Sequence, residues 1–284
     1  MPERFPAMMS AVIFPSMRMQ IGANCHNAKP CHANKSRAAR QAMRIIFSRK
    51  GFDSGSGGGP SPIIDGRPVT LPIPAGAASR TTYGDLGLGE HAARASRRKL
   101  GADDLCHHDP MFTEAGECLF GQCGAAQTHL ERQGVREGDV FLFFGLFRDW
   151  EQGNEPHHRI FAYLKIEEII PLGNGAPLEL VDIAHPHALA MHHKNDVIYR
   201  GPGVQALSAS DALRLTVPGG PVTLWNRPDW LKQGGLSYHD KPERWIRGGK
   251  LRSVARGQEF VADIGRRSAP REWLAGILEE IRAS

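Results

Sequence analysis

From Met43 onward, the apolar residues fall into runs whose spacing predicts the elements. Met43-Arg44-Ile45-Ile46-Phe47-Ser48 reads as an opening strand. Val140-Phe141-Leu142-Phe143-Phe144 is apolar at every position, the pattern of a central strand buried on both faces. Arg159 to Ile170 is a second long strand candidate. Shorter strands are expected at Asp196 to Arg200, Ala212 to Val217 and Val222 to Trp225, with a late one at Gln258 to Asp263. Val69 to Pro74 carries two prolines, which lack the donor a ladder needs, so it belongs at an edge. Helices are expected over Glu90 to Leu100, with a basic outer face, and over Gly124 to Gln133, closed by Gly134. A third, Arg271 to Arg282, places Trp273, Leu274, Ile277, Leu278 and Ile281 on one face at helical spacing.

Strands outnumber helices and do not alternate regularly with them, which points to an α+β fold rather than a doubly wound parallel sheet. The expected architecture is a single domain over residues 43–284, with a mixed, mostly antiparallel sheet and a few packed helices. Residues 1–42 differ in kind. They hold five of the eight methionines, almost no acids and no persistent hydrophobic period. We expect a disordered leader or an over-extended gene start there, with translation from Met43. An organelle presequence is the competing reading. Cys25-His26 and Cys31-His32 could bind a metal, but their spacing matches no zinc finger or knuckle.

The charge changes the picture in one respect. The chain of 284 residues carries 35 Lys+Arg against 30 Asp+Glu, a formal charge of +5. The first 42 residues hold six of the bases and only the acid Glu3, so the 29 bases and 29 acids of the body cancel. Any contact of the body with nucleic acid must come from a local patch rather than a global field. At 41% hydrophobic and 23% charged residues the composition suits a globular protein. The longest apolar run, Val140 to Phe147, is far short of a membrane span, so no membrane partner is expected. Five cysteines form no disulfide framework, and the odd count fits a reducing cytoplasm.

Candidate chemistry lies in five stretches. The first strand runs into Arg49-Lys50-Gly51-Phe52-Asp53-Ser54-Gly55-Ser56-Gly57-Gly58-Gly59-Pro60, a glycine-rich loop that could close backbone N–H groups on a phosphate. It matches neither a P-loop nor the dinucleotide fingerprint, and Pro60 and Pro62 forbid an immediate helix. A flexible surface turn explains it equally well. Cys106-His107-His108-Asp109-Pro110 could ligate a metal or hold a proton-transfer pair, with only alternate residues such as His107 and Asp109 able to converge. His185-Pro186-His187 has the same alternate spacing, whereas His192 and His193 read as solvent-facing. Gln122-Cys123-Gly124-Ala125-Ala126-Gln127-Thr128-His129 puts amides at a helix start, where they could read a base edge or simply cap and pack. Cys123 stands where a helix terminus would favour a thiolate. Beyond the central strand, Phe147 could stack on a planar ligand and Arg148 could hold a phosphate, although core packing explains Phe141 and Phe143 better.

These stretches together resemble the nucleotide modification associated domain 3 family. The resemblance rests on Met43 to Ser54, Gly58-Gly59-Pro60-Ser61-Pro62-Ile63, His107-His108-Asp109-Pro110, Gly121 to Leu130, Gly138 to Gly145 and Gln258-Glu259-Phe260-Val261, in that order. It covers Met43 to Ile281. His108 departs from it, standing where an apolar residue is expected. The resemblance implies a bacterial or phage protein linked to systems that modify nucleobases in DNA. Nucleotide or DNA, and other proteins of such a system, would be the partners. As an enzyme, the chain would use His107, Asp109 and His129 in catalysis. Arg49, Lys50, Asp53, Gln122, Gln127, Phe147 and Arg148 would bind the nucleotide. As a non-catalytic module or scaffold, it would form a small barrel similar to PUA and EVE domains and hold a base among Phe147, Trp150 and Gln127. The sequence assigns no metal ligand set, no cofactor and no oligomeric state.

Overall fold

A computed structural model describes residues 42–75, 78–255 and 257–283. The expected leader, with its Cys25-His26 and Cys31-His32 pairs, lies outside the described residues. In chain order the first half runs β1 (Met43–Arg49), β2 (Ser61–Ile64), β3 (Arg67–Pro68), α1 (Gly89–Ala95), β4 (Met111–Phe112), β5 (Glu117–Gln122), α2 (Gly124–Arg132) and β6 (Val140–Asp149). The second half runs β7 (His157–Lys165), β8 (Glu168–Pro171), α3 (Leu178–Asp182), α4 (Pro186–Leu189), β9 (Val197–Pro202), β10 (Leu224–Asn226), β11 (Trp245–Ile246), β12 (Lys250–Arg252), β13 (Glu259–Gly265) and α5 (Ser268–Ala283).

The apolar run of β6 sits at the centre because it is covered twice. β6 pairs in parallel with β1 through Val140 to Phe144, then in parallel with β2 through Phe147 to Asp149, and antiparallel with β7 on its other edge. β13 adds antiparallel to β1, completing a mixed six-stranded sheet. Period-two alternation divides the side chains: Ile45, Phe47, Val140, Leu142 and Phe144 join Leu274, Ile277 and Ile281 of α5 in one core. Ile46, Phe141 and Phe143 face the other way, into a core with Phe120 of β5 and Tyr199 of β9. A four-stranded antiparallel sheet, β4-β5-β9-β8, lies on that second side, and a small β10-β12-β11 sheet lies on the first.

The α+β class, the central strand and the closing helix all hold, and strand exceeds helix, 31% against 20%. Of the two expected architectures the open mixed sheet is the one found; none of the sheets closes into a barrel. Four element expectations are corrected. Arg159 to Ile170 is not one strand: the chain leaves the large sheet at Ile166, whose N–H donates to Asp139 O, and re-enters the other sheet as β8. Val69 to Pro74 forms no continuous strand, because its prolines cannot donate; a lone bridge joins Pro74 to Cys106. Ala212 to Val217 makes only isolated bridges after a 3-10 turn at Asp211–Leu213. The first helix stops at Ala95 because Arg97 and Arg98 turn left-handed, at φ 57° and 62°.

Candidate functional site

β1 and β5 end side by side, and a cavity of about 710 Å³ opens beyond their ends. The glycine-rich loop forms one wall, and it is built rather than loose. Asp53 Oδ1 accepts from the Gly55 and Ser56 N–H groups at 2.7 and 2.9 Å, closing a tight turn. Gly57 has φ +84°, and a Cβ there would lie 2.3 Å from the ring of the fully buried Phe52. Arg49 donates to the carbonyls of Ala255 and Val254 at 2.6 and 2.9 Å and lies over the rings of Phe144 and Phe260. Burial lowers its pKa, with the Asp53 charge opposing.

Behind this wall Glu259, 1% exposed, gathers three donors on one oxygen. Its Oε1 accepts from Gln122 Nε2 at 2.8 Å and from Ser48 Oγ and Lys50 Nζ at 3.1 Å. Lys50 Nζ also stands 4.1 Å above the Phe120 ring. Glu259 thus ties β1, β5 and β13 together at the cavity, while its Oε2 is buried and has no hydrogen-bond partner among the described residues.

The floor is histidine and aspartate. Asp109, whose peptide to Pro110 is cis, has a side chain 4% exposed. Its Oδ1 accepts from the Gly121 N–H at 2.9 Å, with His185 Nε2 3.5 Å away. Its Oδ2 faces His107 Nε2 at 3.8 Å and His187 Nε2 at 3.9 Å. Burial alone would raise this carboxyl, but the rings of His107, His185 and His187 outweigh it and hold it well below the usual carboxylate range. The other ring nitrogen of His187, Nδ1, bonds Asp196 Oδ1 at 2.5 Å. Asp196 is buried, accepts the His192 N–H as well, and is likewise held low by His187 and His192 against its own burial. The His192 ring stacks on His187 at 4.5 Å between centroids.

Local sequence explains why these groups can meet. His107 and Asp109 meet across a tight turn in which the Asp109 N–H donates to His107 O at 2.8 Å, while His108 lines a separate hollow of about 300 Å³ with Pro110 and Phe161. Gly121 admits the His187 ring against β5, since a Cβ there would stand 2.2 Å from its Cδ2. At the start of α2 the Gly124 N–H is capped by Asn195 Oδ1 at 2.8 Å.

Of the residues singled out from sequence, Arg49, Lys50, Asp53, His107, Asp109 and Gln122 all line this cavity. The other four stand elsewhere. Phe147 is fully buried in the core beneath the sheet. Gln127 is 3% exposed and spends its amide on Tyr199 and Glu131. Arg148 donates to Asn154 O and lies over Trp150, and His129 lines a separate hollow, bonded to Ser237. Phe147, Trp150 and Gln127 therefore make no cage around the cavity. Cys123 does line it, yet burial and the charges of Asp196 and Asp109 push its thiol up, opposite to an activated thiolate. Asp196 was missed because it precedes a strand with no companion motif. His192, read as solvent-facing, is exposed through its backbone while its ring joins the cluster.

A family model described as nucleotide modification associated domain 3 matches residues 44–263. Neither the curated proteins nor the solved structures contain a match.

Proposed function

Because the chain belongs to the nucleotide modification associated domain 3 family, which is associated with nucleotide modification systems, we propose that its cavity seats a nucleotide, free or flipped from DNA, and that the protein acts chemically on the base. The observation that carries this reading is the meeting of His107, Asp109, His187, His192 and Asp196 at the floor of a cavity walled by Lys50 and Arg49. A volume of about 710 Å³ has room for a nucleoside monophosphate. Lys50 keeps two of its three N–H donors beyond the bond to Glu259, enough to meet a phosphate or a carbonyl oxygen at the wall. The floor then faces the base, where buried carboxylates and imidazoles offer proton transfer or ligation. In DNA the target base would have to leave the stack to reach this depth.

A binding-only module is the weaker reading. No Phe, Tyr or Trp is among the described residues lining the cavity, and the imidazoles that do line it are engaged with Asp109 and Asp196. The setting we infer is the cytoplasm, alongside other proteins of the modification system, where the free thiols of Cys106, Cys118 and Cys123 stay reduced. Among the described residues no helix is long and apolar enough to cross a membrane.

Mass spectrometry of nucleosides from host DNA tests the reading. A modified nucleoside should appear with the intact gene and vanish, or be replaced by its precursor, both on deletion and with Asp109→Asn. Identical profiles in all three strains would overturn it.

A further inference from the structure

The geometry points to a divalent transition-metal site, of the zinc, iron(II) or manganese class, formed by His107 Nε2, His187 Nε2 and Asp109 Oδ2, with Asp196 as the residue that orients His187. It deepens the functional reading above and rests on it only for the identity of the substrate. The three ligand atoms lie within 4.8 Å of one another. They are too far apart to be hydrogen-bonded, at 3.8 and 3.9 Å from the carboxylate oxygen to the two nitrogens. An ion with bonds of about 2.1 Å sets its ligands roughly 3.0 to 3.4 Å apart, so the carboxylate oxygen and each nitrogen would draw about half an ångström closer on binding, and the two rings would turn towards the ion.

The hydrogen bonds around the trio decide which atoms are free. Asp109 Oδ1 is satisfied by the Gly121 N–H, and no hydrogen bond among the described residues reaches Oδ2. The bond between His187 Nδ1 and the Asp196 carboxylate puts the ring proton on Nδ1. His187 Nε2 is thereby the ring nitrogen left to face Asp109 Oδ2, at 3.9 Å. A nitrogen and a carboxylate oxygen set this way need a bridging cation, and the site is built to take a metal ion in that place. A carboxylate holding a ligand histidine from behind is the usual outer support of a metal site. Two imidazoles and one carboxylate leave further positions on the cavity side for water or a substrate oxygen. A second trio, Cys123, His187 and Asp196, shares His187. It would have to break the 2.5 Å bond that fixes the ring, so the first trio is the one assigned. His185 adds a second sign of incompleteness: it is fully buried, and among the described residues neither ring nitrogen is hydrogen-bonded, its nearest carboxylate being Asp109 at 3.5 Å.

The test is titration of chelator-treated protein with Zn(II) and Co(II), in the absence of any nucleotide, followed by calorimetry and by the visible spectrum of the cobalt form. One ion should bind per chain, with imidazole and carboxylate but no thiolate signature. Asp109→Asn and His187→Ala should each weaken binding by more than about a hundredfold, and Asp196→Asn by roughly ten- to a hundredfold. Cys123→Ser should keep the affinity. Absence of stoichiometric uptake by the wild-type chain overturns the proposal, whatever the variants do. Uptake that survives Asp109→Asn, or that is lost with Cys123→Ser, overturns it too. Binding is read without turnover, so failure here leaves the nucleoside profile standing as its own test, and an unaltered profile leaves the titration standing.

Discussion

Two groups of histidines have opposite surroundings, one packed inside β7 and the other gathered at the cavity floor. His157 and His158 sit on β7 within the large sheet, where among the described residues no carboxylate bonds either ring. His158 Nδ1 accepts from Trp225 Nε1 at 3.0 Å, and His157 Nδ1 meets the Glu155 carbonyl at 3.1 Å. Burial pulls both down, to about 3 for His158, helped by Arg49, and to about 4 for His157, helped by Arg159 and Arg214. These rings are packing pieces that stay neutral. His107, His185, His187 and His192 instead crowd two buried carboxylates at a cavity floor. Residue type does not separate the groups; the partner does. A ring facing an indole N–H is part of a core, whereas rings facing Asp109 and Asp196 await a positive species.

The largest effect should come from removing the carboxylate on which the second group depends. Asp109→Asn should abolish the modified nucleoside, a loss of at least about a hundredfold by mass spectrometry, while leaving His157 and His158 untouched. Next comes acid. The unfolded chain protonates its histidines near 6.5, whereas the folded β7 pair stays neutral to about 4 and 3. The unfolded state therefore takes up more protons as pH falls, so stability is complete above about 6.5 and is lost progressively towards pH 3. Denaturant midpoints across that range should register a decline on the order of a few kcal/mol from this pair. His158→Gln should flatten the slope; an unchanged slope would deny that the pair is neutral. Gly121→Ala should cost roughly 2 kcal/mol by overpacking, because the new methyl meets the His187 ring. It should also lower the nucleoside yield, which no overpacking in the β7 core would do. Smallest is Tyr199→Phe, which removes the bond to Gln127 between two residues that do not line the cavity. It should cost about 1 kcal/mol in a melt and leave the nucleoside profile as it was.

Sequence showed most where one physical rule acts alone. The apolar run at Val140 to Phe144 had to be a doubly covered strand, and α5 had to bury Leu274, Ile277 and Ile281. The alternation of His107 and Asp109 was legible for the same reason. What sequence hid depends on distant pairing. The break between β7 and β8 follows from bonds to Asp139 and Arg200, not from anything in Ile166 or Glu167. Gln127 and Phe147 looked like ligand contacts because polar helix starts and aromatic strand ends resemble binding positions. Tyr199 and the second core claim them instead. Asp196 carried no local signal at all; only the fold brings it to His187.

β1 and β2 both run alongside the same edge of β6, one against Val140 to Phe144 and the other against Phe147 to Asp149. The glycine-bearing stretch between them is therefore anchored at both feet to a single rail. Its turn, closed by Asp53 and by Gly57 against Phe52, is thus held at a fixed height over the opening. A substitution that undoes that turn would widen the mouth while every strand keeps its register.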